Sequence, residues 1–420
     1  MRFLSLSILM LSSALLAQAP PSGEALLLVP KLEDSETFPP DGLVDQRPAH
    51  WRIVWTEDPQ RKALMLWDTA ALGREHHVRY DVRSRASEGA LASYAKQRTS
   101  ARSGRYTGTE LALHWHAVAL DELTPNTTYY FVLESDGQRS PEMHFRTAPA
   151  TPEPIALLSG GDARSDRAQR RAVNRMLAQL IDLRPEVLAL AHGGDFVLWG
   201  TQLPLWDRWL RDQELVIGAS GRVLPILPTR GNHEATGALY DEVFGAPGGA
   251  EKNYYATELT PEVLLVTLNT EIAAGGEQSM FLEQVLASRR ATRWQIAQYH
   301  RPLWPAVKQP ATAAPHWLPL FDRYALDLAL ENDGHALKRT VPIKEGARSE
   351  RGTTYVGEGG FGVQQRTPDT ARWYLQSPGY AHSRHHVWEL RFGAQELEVL
   401  AWDLQLGKIF DRFALRPRAR

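Results

Sequence analysis

The period of the chain changes at Pro154, and that change limits the fold more than any other feature. Before it, short segments of alternating apolar and polar residues follow one another at 52–56, 63–67, 77–80, 115–119 and 129–133, separated by polar or Gly/Pro turns. Successive side chains of a strand point to opposite faces, so a two-residue period punctuated in this way predicts antiparallel strands packed as a sandwich. After Pro154 the spacing lengthens. An apolar strand at 155–158 leads to Val173, Met176, Leu177, Leu180 and Ile181, which recur at helical spacing, and a second strand follows at 187–191. Strand, helix and strand in this order form a βαβ unit, which lays its strands parallel and offers ligand sites at their carboxyl ends. Further strands are expected at 223–227, 263–268, 294–299 and 326–330, and three hairpin-like strands at 385–392, 396–402 and 408–415.

A chain of 420 residues is long for one domain, and its 43% hydrophobic residues suffice for two cores. The expected division is a leader at 1–19, a sandwich at 20–147, a Pro-rich linker at 148–154 and a second domain at 155–420. The leader combines Arg2, an apolar run from Phe3 to Ala17 and a small-residue cleavage site at Ala17-Gln18-Ala19. Its apolar run is shorter than the roughly 20 residues that span a bilayer, so we expect a secreted or periplasmic protein with no anchor after cleavage. Forty-seven basic against 49 acidic residues leave a net charge of -2, which offers no broad electrostatic footprint for nucleic acid. Absence of cysteine excludes disulfides, thiolate ligands and a cysteine nucleophile.

Five short islands sit where strands should end: Gly160-Gly161-Asp162-Ala163-Arg164, Gly193-Gly194-Asp195, Gly231-Asn232-His233-Glu234, Tyr299-His300-Arg301-Pro302 and Asn332-Asp333-Gly334-His335. Carboxylate, imidazole and amide oxygen are the donors that hold two cations close enough to clamp a phosphate and ionise a water. In this order the islands resemble the calcineurin-like metallophosphoesterase superfamily, in particular its purple acid phosphatase-like branch. Leu123 to Tyr129 resembles the tyrosine corner of fibronectin type III domains. The resemblance implies an α/β (α+β) sandwich of two mixed β-sheets flanked by helices, preceded by an all-β fibronectin-III-like sandwich.

By the same resemblance, Asp162 would bind a first metal, Asp195 would bridge two, Asn232 and His300 would bind the second, and His233 would stand beside the leaving group. The last island departs from the family pattern of two histidines flanking one residue. The register that also matches Arg339-Thr340-Val341-Pro342 puts Asp333 in place of the first histidine and keeps His335 as the second. Leu198 stands where purple enzymes carry a tyrosinate, so no charge-transfer colour is expected. Arg164 stands where other members carry a histidine; a guanidinium cannot ligate a metal but can fork onto phosphate oxygens. The implied cofactor is two divalent or trivalent ions, with Fe, Mn, Zn or Mg all compatible with the donors. The implied reaction is attack on phosphorus by a hydroxide shared between them, with His233 giving a proton to the departing alkoxide and Glu234 holding the imidazole.

The expected activity is that of an acid phosphatase-like phosphomonoesterase acting on a small phosphorylated substrate. A phosphodiesterase uses the same motifs, and a non-catalytic phosphate-binding descendant would fit the altered ligands. Outside the islands, His192 is read as a packed neighbour of the site, His382, His385 and His386 as an exposed strand start, and most of the 13 tryptophans as core.

Overall fold

The computed structural model describes residues 26–89, 92–234 and 238–418; the leader read at 1–19 lies outside them. Two mixed sheets pack face to face, with helices on both outer sides. The first, ten-stranded, runs in the order Lys408–Leu415, Leu397–Asp403, His386–Phe392, Ile155–Gly160, Val187–His192, Ile226–Pro228, Ala49–Val54, Ala63–Thr69, His114–Leu120 and Arg102–Arg105. The second, seven-stranded, runs Tyr255–Thr260, Val263–Thr267, Trp294–Gln298, Leu328–Leu330, Thr354–Gly357, Leu337–Arg339 and Tyr380–His382. At the centre of each, the strands are parallel: Ile155–Gly160 with Val187–His192 and Ile226–Pro228 in one, and Val263–Thr267 with Trp294–Gln298, Leu328–Leu330 and Thr354–Gly357 in the other.

Strand alternation explains the layering. In Ile155–Gly160, Ile155 and Leu157 face the inter-sheet core with Ala189, Leu265, Ile296 and Leu328, whereas Ala156 and Leu158 face outward and pack under helices. The outer cover comes from Arg167–Leu183, whose Val173, Met176, Leu177, Leu180 and Ile181 are all buried, and from Leu203–Gln213. Asp166 caps the first of these, its side chain accepting the Gln169 N–H at 2.9 Å. Glu277–Ser288 and Ala314–Tyr324 cover the second sheet.

The N-terminal sandwich is completed by a five-stranded sheet that includes His76–Asp81 and Thr128–Ser135. The Tyr129 hydroxyl accepts the Thr124 N–H at 2.9 Å, the tie that a tyrosine corner requires. One feature was not foreseen. Ala49–Val54 pairs in parallel with Ile226–Pro228, Val54 opposite Ile226, so one sheet of the sandwich continues the central sheet of the second domain. Arg52 reinforces this seam, its Nε donating to the Val243 carbonyl at 2.6 Å. The expectation of exposed histidines at a strand start is corrected in part: His385 and His386 are buried, and the His385 Nδ1–H donates to the Gly360 carbonyl at 2.8 Å. His382 is exposed, beside Phe410.

Candidate metal centre

Every one of the five islands lies just past the carboxyl end of a central strand, and the strands come from both sheets. Asp162, Asp195, His300 and Asp333 are buried and offer ligand atoms that all lie within 4.8 Å of one another. Four of the converging residues have a left-handed backbone although none is glycine: Asp162 at φ 58°, Asp195 at 54°, Asp333 at 67° and His335 at 57°. That conformation crowds a Cβ against the carbonyl and costs of order 1–2 kcal/mol. The loops hold it with backbone bonds, Asp162 N–H to Gly194 O at 3.0 Å and His335 N–H to Glu358 O at 2.7 Å among them.

His300 shows most clearly what the centre is built to hold. Its Nδ1–H donates to the Gly193 carbonyl at 2.8 Å, which leaves Nε2 facing Asn232 Oδ1 at 3.1 Å, Asp195 Oδ1 at 3.2 Å and Asp333 Oδ1 at 3.7 Å. A bare lone pair aimed at three oxygens would be repelled, so the position calls for a proton or a cation. Burial disfavours a charged ring, but Asp195, Asp333 and Asp162 outweigh it and push His300 well above the usual histidine range. His335 repeats the pattern: Nδ1–H goes to the Gln364 carbonyl at 3.2 Å, and Nε2 lies 3.2 Å from Asp162 Oδ1. That buried oxygen makes no hydrogen bond among the described residues. Histidine with one nitrogen spent on a carbonyl and the other turned to carboxylates is the arrangement of metal-ligating imidazoles. The donor set therefore fits cation binding: Asp162, Asp195, His300 and Asp333 would hold the metal, with the Asn232 amide oxygen and the His335 imidazole turned toward the same carboxylates.

Asp195 is fully buried, which opposes its charge; the His300 and His233 imidazoles and the His233 N–H, which donates to Oδ1 at 3.0 Å, nevertheless hold it below the ordinary carboxylate range. Arg164 lies against the centre, Nε 3.2 Å from Asp195 Oδ2 and Nη2 3.5 Å from His335 Nε2. His233 is turned by a different group from the one expected. Glu234 does not hold the ring: its carboxylate accepts the backbone N–H groups of Asp195, Phe196, Val197 and Gly231 at 2.9–3.3 Å. Burial and the Asp195 charge push Glu234 up to about 8, against four donors that favour its anion. The ring is oriented by Leu198, whose carbonyl accepts the His233 Nδ1–H at 2.6 Å, leaving Nε2 at 3.8 Å from Asp195 Oδ2.

Lys308 carried no signal in the sequence, and Asn332 opens the fifth island without a role of its own in the motif. Lys308 places its ammonium on Asp333 Oδ1 from an aperiodic stretch that resembles no motif. Asn332 fills the space between Gly161 and Gly193; a Cβ on Gly193 would come within 1.8 Å of its Nδ2. His192 is a packed neighbour, stacked on Phe196 at 3.9 Å and kept neutral by burial, which lowers it to about 3. A cavity of about 540 Å³ opens beside Asp333 and Lys308 and is lined also by Arg301, Thr270 and Thr312. A larger one, about 630 Å³, lies between Leu318 and Lys344 and is lined by none of the island residues.

Residues 48–147 match the purple acid phosphatase N-terminal domain model, and residues 143–335 match the calcineurin-like phosphoesterase model. Uncharacterized proteins from two strains of Mycobacterium tuberculosis are each 24% identical over 295 residues, which is 59% of this chain and 52% of theirs. The chain thus spans about half the length of the curated relatives it matches. A purple acid phosphatase isolated from yellow lupin (Lupinus luteus) seeds is similar in structure at a TM-score of 0.71 and 19% identity, over 89% of this chain and 75% of that one. The structure of PhoD is similar at a TM-score of 0.63 and 10% identity, over 89% of this chain and 90% of that one. At these identities the likeness concerns the fold.

Proposed function

Since the chain belongs to the calcineurin-like phosphoesterases and carries a purple acid phosphatase N-terminal domain ahead of its metal centre, we propose that it is a metal-dependent hydrolase of small phosphate monoesters. The observation that carries this reading is His300, its free nitrogen turned to oxygens of Asn232, Asp195 and Asp333 at the meeting point of both sheets. A metal pair held there would acidify water and offset phosphate charge.

The remaining work falls to the chain itself. Arg164, in reach of both Asp195 and His335, would neutralise charge growing on the equatorial phosphate oxygens, and its planar fork suits two of them at once. Lys308 would add a second cation at Asp333. His233, fixed through Nδ1, would carry the transferable proton on Nε2 and give it to the leaving oxygen. Water would be limited by burial: Asp162, Asp195 and His300 are fully covered. The leader at 1–19 supports export as the setting, and the N-terminal sequence of protein recovered outside the cytoplasm would check it. Among the described residues no helix is long and apolar enough to cross a membrane.

A non-catalytic phosphate binder is the second reading, favoured by Arg164 and Lys308 lying on carboxylates that metals would need. Metal content of the purified full chain, together with hydrolysis of p-nitrophenyl and bis-p-nitrophenyl phosphate before and after chelation, separates these. Two ions per chain with chelator-sensitive turnover of the monoester are expected. Fewer than two ions and no turnover with any added divalent metal would leave the binder.

A further inference from the structure

The loop that leaves Asp195 treats its two aromatic residues in opposite ways. Phe196 is fully buried among Trp206, Trp209 and Phe244, whereas Trp199 is 55% exposed. Exposed tryptophans are uncommon but not by themselves informative. What distinguishes Trp199 is how firmly it is presented. The residue before it accepts the His233 Nδ1–H through the Leu198 carbonyl at 2.6 Å, and the residue after it donates its N–H, from Gly200 to the His233 carbonyl, at 2.8 Å. Its own carbonyl accepts the Gln202 N–H at 3.0 Å. The backbone on both sides of the indole is thereby fastened to His233, and the two rings lie with centroids 6.1 Å apart and planes inclined by 52°. Trp373, also part-exposed, differs in that it packs edge-on against Trp304 and Tyr374.

We infer that Trp199 is a specificity residue that stacks on a flat aromatic ring in the alcohol part of the phosphate ester. This rests on the reading of the same centre as a phosphoester hydrolase, in which His233 marks the side where the alcohol departs. An aromatic ring beside His233 would cover the open indole face, and the loop pays almost no ordering entropy because its backbone is already tied. An ester with a small aliphatic alcohol would leave that face wet. Stacking of a flat ring on an aromatic side chain changes binding by about fivefold to more than tenfold, so the preference is measurable.

The test uses the full chain loaded with Mn(II). KM and kcat for p-nitrophenyl phosphate and glycerol 2-phosphate are measured in the parent, Trp199→Ala and Trp199→Phe, and equilibrium binding of phenylphosphonate and methylphosphonate is measured in the same three proteins. In Trp199→Ala the aryl-over-alkyl preference in KM and in phosphonate affinity is expected to fall by about five- to tenfold, and Trp199→Phe is expected to restore most of it. Equal changes for aryl and alkyl ligands in Trp199→Ala would overturn the inference. If neither ester is turned over yet phenylphosphonate still binds more tightly and loses that advantage in Trp199→Ala, the hydrolase reading fails and the stacking site stands.

Discussion

Gly359 shows how little room the centre leaves for error. It sits at φ +79°, and a Cβ there would lie 1.7 Å from Asp162 Oδ2. Gly359→Ala must therefore swing a carboxylate assigned to the first ion, and metal affinity is expected to fall about 10- to 100-fold, by analogy with the loss of groups that orient ligands. Calorimetric titration reads this directly, and unaltered affinity would remove Asp162 from the ligand set. His233 makes the opposite case. In the proposed function it would stand beside the metals and not on them, so His233→Ala should lower kcat by about 100-fold or more with both ions retained in elemental analysis. Loss of metal would reassign it as a ligand. The order of the islands made these positions visible in the sequence, because each candidate ligand follows a strand whose period can be read locally. The partners of Glu234, which was expected to hold the imidazole, and the presence of Lys308 were not legible. The partners of Glu234 are backbone groups of another loop, and Lys308 reaches Asp333 across a stretch with no period, so both contacts arise only when the two sheets meet.

Elements behind the site carry charge of their own. Lys338, fully buried in the strand Leu337–Arg339, bridges Glu331 and Glu358 and also donates to the Trp304 carbonyl. Glu358 in turn underlies the last island: its Oε2 would stand 1.5 Å from a Cβ on Gly334, and its carbonyl accepts the His335 N–H. Burial pushes Glu358 up to about 7 even with Lys338 opposing the shift. Lys338→Met would strand two carboxylates in the core, and we expect about 3–5 kcal/mol less unfolding free energy in denaturant titration. A loss below about 1 kcal/mol would mean the network is dispensable. His386, at the start of His386–Phe392, gives a pH-dependent case. Burial lowers it to about 4, and its Nε2 lacks a partner among the described residues. Between pH 6.5 and 4 the unfolded chain binds a proton that the folded chain refuses, so stability falls as pH drops through that window. His386→Gln removes this titration. Relative to the parent, the variant should gain about 2 kcal/mol on going from pH 7.5 to pH 5. A constant difference across that range would show that His386 does not titrate as described. Strands and helices of this kind were legible because alternation and helical spacing survive in the local sequence. Ile226–Pro228 overlaps the segment expected at 223–227 only at its end, because pairing with Val187–His192 starts at Ile226, the one residue that also faces Val54 on the other side.

At the scale of the molecule the N-terminal sandwich and the catalytic layers share a core. Trp55, Trp67, Tyr129 and Phe145 belong to the same buried cluster as Leu157, Leu265 and Ile296. His50 and Arg52 bind the buried carboxylate of Asp68, and His50 Nε2 also lies 3.5 Å from Asp207 Oδ1 on the helix Leu203–Gln213. A structure joined in this way should melt as one unit. Calorimetry of the metal-stripped chain is expected to give a single transition with matching calorimetric and van't Hoff enthalpies, and two resolved transitions would refute it. The junction was invisible in sequence because a parallel pair between distant strands leaves no local trace, whereas the tyrosine corner and the linker composition spoke only for two separate bodies. The pairing of Val54 with Ile226 also has a mechanical consequence. Hydrogen bonds run unbroken from the Lys408–Leu415 border to the Arg102–Arg105 border, so the leading sandwich serves as a splint and cannot swing as a lid. Any change in access to the candidate metal centre would then fall to the loops at the strand ends, and a tag or fused protein hung on the Arg102–Arg105 border would ride on the splint without tilting them.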